Sequence, residues 1–261
     1  MILEEIEHTK PIREHPYKHK DNFLVNFGNE NFRISKMTYV SFIIIILFVG
    51  QSFLGDPSEL FANMNEAIRL ITYIATIVFL WLLYAIIYFA IVREDTNVRS
   101  IGIVKLRTLD FARGLAILLS LYVIAAALTI LMATIGFTIP GEVEMFLPQE
   151  LFGKLMWVAM SFTAGFCEEA VFRGYLMTRI RLWGNFSSWT IPLIVSSLLF
   201  GIPHLYQGFA GVVVITVLGA MFGYSYIRYR TIWPAIIAHF FLDSLNLIIP
   251  QFESTIEQML K

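Results

Sequence analysis

Residues 70–92 read LITYIATIVFLWLLYAIIYFAIV, twenty-three consecutive positions without a charge. As an α-helix rising 1.5 Å per residue, that stretch reaches about 35 Å, enough to cross the roughly 30 Å hydrocarbon layer of a bilayer. Working outward, Gly114–Phe137 is a second uncharged run, of 24 residues, and Met37–Leu54 a third, of 18. The later apolar segments are less pure. Leu151–Ile180 is long enough to span but carries Lys154, Glu168, Glu169, Arg173 and Arg179. Trp189–Leu205 has no acid or base before His204, Gly208–Ile227 is clean, and Trp233–Ile249 contains His239 and Asp243. This pattern predicts an all-α fold, a polytopic transmembrane helix bundle of about seven spans.

Composition agrees. Charged residues make up 15% of the 261 positions, against about 25% in an average soluble domain. Aromatic residues are another 15%, with 23 Phe, more than one water-soluble core can hide. These figures exclude a disordered chain and an ordinary soluble domain. A net charge of −1 offers no basic surface, so no nucleic-acid partner is expected. The lone Cys167 sits in an apolar run without an activating base and reads as an inert structural thiol.

The chain divides into a polar tail over 1–36, three membrane helices with their loops over 37–150, a helical core over 151–250 and a short end over 251–261. Lys and Arg test the topology. With the N-terminus inside, the inner segments hold 15 of the 19 basic residues and the outer ones hold only Arg69 and Lys261. Lys154 and Arg173 fall within spans, Lys154 close enough to an end to snorkel outward. The expected placement is therefore a multi-pass protein of the cell membrane with a cytoplasmic N-terminus, its main neighbour being the lipid bilayer.

A few charges have no topological reason. An ionisable side chain at mid-membrane costs several kcal/mol and is a functional candidate by default. Glu169 and Arg173 are spaced i, i+4, so they share a helix face and are expected to pair. Glu168 lies about 100° round from Glu169 with no partner on its own helix, which leaves it available as a general base. His204 follows Phe200 by four positions, and His239 precedes Asp243 by four. Counting rise per residue from the inner ends puts Glu168 at about 16 Å, Asp243 at about 15 Å and His239 at about 9 Å. His204 comes out deeper, at roughly 21 Å, and Pro203 is expected to break the helix there. Polar glue between helices accounts for any one of these residues, but not for two acids, an arginine, two histidines and an aspartate together.

These three segments resemble the CPBP family of CAAX-protease and bacteriocin-processing intramembrane proteases, also called the Abi family. The family's patterns EExxxR, FxxxH and HxxxN or HxxxD stand here as Glu168-Glu169…Arg173, Phe200…His204 and His239…Asp243, in that order, over about residues 150–250. The resemblance implies an intramembrane endopeptidase acting on a membrane-embedded or lipidated peptide or protein. It implies Glu168 as the base that activates water, His204 as its assistant, and His239 and Asp243 at the scissile carbonyl. Glu169, Arg173 and Phe200 become the residues that orient the site. Some members carry Asn at the last motif position, and an ionised Asp243 accepts hydrogen bonds and cannot donate to an oxyanion. Orientation of His239 is thus the expected role of Asp243.

The resemblance leaves the cofactor open between none, which is favoured, and zinc. Glu168, His204 and His239 would be three protein ligands with one open position, but the HExxH spacing of zinc proteases is absent. Two further readings compete. A non-catalytic scaffold or bacteriocin-immunity protein of the same fold would tolerate degraded motifs, and all three motifs are intact. A proton-coupled transporter would use the acid and histidine chain as a relay, but no inverted repeat supports it.

Overall fold

The computed structural model describes residues 34–54 and 57–247. The tail assigned to 1–36 and the end at 251–261 therefore fall almost wholly outside the described residues. Nine α-helices are seen among those described: α1 Lys36–Gly50, α2 Pro57–Ala62, α3 Glu66–Arg93, α4 Thr108–Thr134, α5 Leu151–Glu168, α6 Met177–Trp183, α7 Thr190–Gly201, α8 Gly208–Tyr229 and α9 Trp233–Leu245. The described residues contain no strand, as the uncharged runs require.

Local chemistry fixes the ends. Ser35 and Thr38 cap α1 reciprocally, each side chain accepting from the other's backbone N–H, at 3.2 and 3.1 Å. Asn65 caps α3 by accepting from the Ile68 N–H. Pro234 occupies the first turn of α9, where its missing N–H leaves no helix bond unmade.

Five helical segments are long and apolar enough to cross a membrane: Lys36–Phe53, Glu66–Arg93, Thr108–Thr134, Leu151–Trp183 and Thr190–Tyr229. Their outward faces are apolar, with Leu47, Ile71, Leu82, Leu119 and Val123 all exposed, as lipid-facing surfaces should be. The expected count of about seven is not recovered as seven long helices, for two physical reasons. Thr190–Tyr229 is not one rod: Leu193 lies against Gly223, and Gly201 against Thr216, so α7 and α8 run antiparallel. The 3₁₀ turn Ile202–Gln207 joins them. The last apolar helix, α9, has only 13 residues among those described, about 20 Å of rise.

The interior has two main parts. Ile45, Leu83, Ile87, Ile91, Phe172, Tyr175 and Phe200 pack α1, α3, α7 and the segment after α5 together. Leu118, Leu121, Val214, Leu218, Phe222, Ala235 and Ala238 join α4, α8 and α9.

A polar network also lies buried beside the first part. Arg179 on α6 donates to Glu94 Oε2 at 2.7 and 3.1 Å, to the Ser100 carbonyl at 3.2 Å and to the Ser100 hydroxyl at 2.9 Å. Thr38 and Tyr175 donate to Glu94 Oε1 at 2.8 and 3.0 Å. Glu94 is 0% exposed and Arg179 1%. Arg179, counted by its position among the inner basic residues, is thus buried and braces the end of α3 against α6. Arg181 is buried as well, donating to the Phe186 and Ser187 carbonyls and stacked on Trp189.

Candidate active site

Helix α5 does not stop at Glu168. The chain continues as a wider π-helical turn over Glu169–Leu176, all eight residues buried, before α6 resumes. Such turns occur often at functional sites, because they re-aim side chains within a continuous helix. One turn earlier, α5 meets α9 almost backbone to backbone. A Cβ on Gly165 would sit 3.1 Å from the Phe240 nitrogen and 3.2 Å from the Ile236 carbonyl. Small residues permit this approach between membrane helices, and here it carries Glu168 and Glu169 up to His239.

The predicted pair forms: Arg173 Nη1 donates to Glu169 Oε1 at 2.8 Å, with both side chains almost fully buried. The same Oε1 lies 3.0 Å from His239 Nδ1. A carboxylate oxygen accepts, so the imidazole carries a proton on Nδ1 and donates it to Glu169, and a second proton on Nε2 would let that nitrogen donate as well. The other ring nitrogen, Nε2, faces two carboxylates, Asp243 Oδ2 at 3.5 Å and Glu168 Oε2 at 3.9 Å. Glu168 makes no hydrogen bond among the described residues, and its side chain is 16% exposed. Of the two adjacent acids Glu168 is thus the open one and Glu169 the closed one, and Asp243, with 29% of its side chain exposed, is open as well.

Aromatic rings complete the walls. The Arg173 guanidinium lies 3.8 Å over the Phe200 ring, and Phe222 stacks on His239 at 5.1 Å. A Cβ on Gly219 would come within 2.9 Å of Arg173 Nη2, so a glycine there admits the guanidinium. Phe200 also stands edge-on to His239, with ring centres 5.9 Å apart.

His204 sits differently from the depth count. Helix α7 ends at Gly201, Pro203 begins the 3₁₀ turn, and His204 itself has non-helical angles of φ −92° and ψ 17°. The histidine is therefore at the tip of the α7–α8 hairpin rather than along a straight span, and rise per residue stops measuring its depth. Its Nδ1 is 3.1 Å from the Phe200 carbonyl, leaving Nε2 for another group. No ion pair or hydrogen bond joins His204 to Glu168 or His239 among the described residues. The Phe200 ring neighbours both histidines, 5.5 Å from His204.

Glu168, His204 and His239 are not gathered as a ligand set. No three His, Cys, Asp or Glu side chains among the described residues are arranged to hold a metal ion. Cys167 is buried against Leu80 and Ala164. Two site contacts carried no signal in the spacing. Trp157 Nε1 donates to the Asp243 carbonyl at 2.9 Å and ties α5 to the end of α9. Tyr206 sets its ring beside that of His204, with centres 6.0 Å apart.

Part of the chain is similar to a known family. Residues 150–245 match the family model described as type II CAAX prenyl endopeptidase Rce1-like, in agreement with the CPBP resemblance. All three motifs fall within the matched stretch. No curated protein and no solved structure matches the chain. The match covers 96 of the 261 residues and is a likeness to CAAX-type proteases over that stretch, and the five long apolar helical segments fit a membrane-embedded, multi-pass protein.

Proposed function

We propose that the matched segment works as an intramembrane endopeptidase on a membrane-embedded or lipidated peptide or protein, with water activated by Glu168. The observation that carries this reading is the division of labour between adjacent acids. Glu169 is held by Arg173 and His239, whereas Glu168 is unbonded and partly open. A general base must be free to reach its proton, and a carboxylate already accepting from arginine is not.

In this mechanism Glu168 takes a proton from water as the oxygen attacks the scissile carbonyl carbon. The carbonyl electron pair moves onto its oxygen, which accepts a hydrogen bond from an Nε2–H that a doubly protonated histidine supplies, since Nδ1 of His204 is bonded to the Phe200 carbonyl and Nδ1 of His239 to Glu169. The C–N bond then breaks, and Glu168 returns the proton to the leaving amine. His204 and His239 are the histidines on offer, and Asp243, an acceptor beside His239 Nε2, steers that ring. Arg173 and Phe200 hold Glu169 and His239 in register. No step requires a metal. The topology proposed with it has about seven crossings and a cytoplasmic N-terminus, counting the α7–α8 hairpin as two and α9 as the last.

The test compares peptide termini in membranes from cells carrying the wild type or Glu168→Gln. New or lost termini at equal protein abundance support the reading. Unchanged processing with Glu168→Gln overturns it. A phenotype that survives the substitution would instead indicate the non-catalytic scaffold.

A further inference from the structure

Glu169, Arg173 and His239 are bonded to one another, but His204 is bonded only within its own hairpin. Among the described residues its ring makes one hydrogen-bond contact, to the Phe200 carbonyl at 3.1 Å. No bond to Glu168 or His239 fixes where it stands. What bears on its tip from outside is the connection between α4 and α5, residues 135–150.

That connection meets the tip at three places. Phe137 packs on Phe209, with ring centres 4.9 Å apart. Gly208 turns the chain into α8 with φ 72° and ψ −179°, a combination essentially confined to glycine. It lies against Pro140, where a Cβ would stand 3.5 Å from the ring Cδ. Phe146 stands edge-on to Tyr206, with ring centres 5.6 Å apart, and Tyr206 is the ring set beside His204.

Helix α3 fastens the same connection. Its 3₁₀ turn Gly141–Phe146 ends in carbonyls that lack partners within the turn. Arg69 Nε donates to the Met145 carbonyl at 2.9 Å, and the Tyr73 hydroxyl, one helical turn on, donates to the Phe146 carbonyl. Tyr73 is buried, and its ring meets Trp157 edge-on at 5.6 Å. Trp157 in turn donates to the Asp243 carbonyl. One side chain on α3 thus bears on the His204 tip through the connection, and on the end of α9 through Trp157.

We propose that residues 135–150 form a strap that positions His204, and that Tyr73 is its fastener and a positioning residue for the reaction, a role that rests on the endopeptidase reading above. Glu168 and His239 come from α5 and α9, and His204 from a tip bonded to neither. A reaction that uses all three requires a common reference outside them, because a misplacement of about 1 Å costs about 10²-fold in rate.

The test reads hydrogen exchange on the full chain purified in detergent, and peptide termini in membranes from cells carrying each variant. Tyr73→Phe keeps the ring on Trp157 and removes only the hydroxyl. It should quicken amide exchange over residues 204–209 about tenfold, the worth of one net hydrogen bond, and leave α6 unchanged. Processed termini should fall about tenfold at equal protein abundance. Phe146→Ala should act in the same direction, and Phe146→Tyr, which keeps the ring, should restore most of both. Ser120→Ala takes a hydroxyl from an exposed face of α4 and should change neither. Unchanged exchange at the tip in Tyr73→Phe and Phe146→Ala overturns the strap, as does equal loosening by Ser120→Ala. A loosened tip with undiminished processing overturns the positioning role. Processing that rises overturns it too, making the connection a lid that must lift. Glu168→Gln, run alongside, should abolish processing and leave exchange at the tip unchanged. Processing that survives Glu168→Gln overturns the endopeptidase reading, and exchange still decides the strap.

Discussion

His239 is held by Glu169, not by the aspartate four residues along its own helix. The Nδ1–Oε1 distance to Glu169 is 3.0 Å, whereas Nε2 and Asp243 Oδ2 are 3.5 Å apart. The ring is thus fixed from one side by a buried, arginine-paired carboxylate, and its other nitrogen is turned toward the open acids. Asp243 adjusts a histidine already positioned by something else.

Asp243→Asn should therefore be mild, lowering turnover by less than about tenfold, or ~1.4 kcal/mol in the barrier. Glu169→Gln should be severe, because the amide oxygen still accepts but the negative charge that holds Arg173 and His239 is gone. Turnover per folded molecule of the two variants is the measurement. A more damaging Asp243→Asn would mean that the aspartate contacts the reacting atoms.

Glu168→Gln should cost about 10²–10⁴ in turnover, the range associated with a general base. The melting temperature should barely move, since Glu168 makes no hydrogen bond among the described residues. Glu169→Ala gives the contrast. It should lower stability by about 3–5 kcal/mol by stranding the buried Arg173, and a thermal melt in detergent separates the two behaviours.

Glu94→Gln or Arg179→Met should lower the melting temperature strongly, again by about 3–5 kcal/mol, through loss of a buried, multiply bonded ion pair. The fraction that stays folded should cleave normally, because this network shares no side chain with the Glu168–His239 group. Loss of turnover in fully folded Arg179→Met protein would instead couple the brace to the site.

Exhaustive chelation should leave cleavage intact under the proposed metal-free route. Activity that disappears on demetallation and returns with zinc would show that a metal takes part.

The sequence made the site's parts visible to different degrees, and spacing explains why. Glu169 and Arg173 share one face at i, i+4, so their pairing, and the isolation of Glu168, followed from helix geometry alone. The contact between Glu169 and His239 spans 70 positions and depends on α5 and α9 meeting at Gly165. No local period encodes that. Glu94 and Arg179 flank apolar runs, as solvated boundary charges do, and only packing across 85 positions buries them. The α7–α8 turn lies at Pro203, between the two apolar runs that the sequence already separates, whereas the 13 residues of α9 fall short of a full crossing. The number of crossings is for that reason harder to read than their existence.

The π-helical turn at Glu169–Leu176 has a consequence for how this chain tolerates change. It lies between Glu168, which must face His239, and Arg179, which must face Glu94. Both belong to one 33-residue helical segment, yet the wide turn gives each half its own angular phase. Deleting one residue between them would rotate everything downstream by about 100°, so the cleavage site and the brace could not both be aligned. Substitutions along this stretch should be absorbed far more readily than a change in its length.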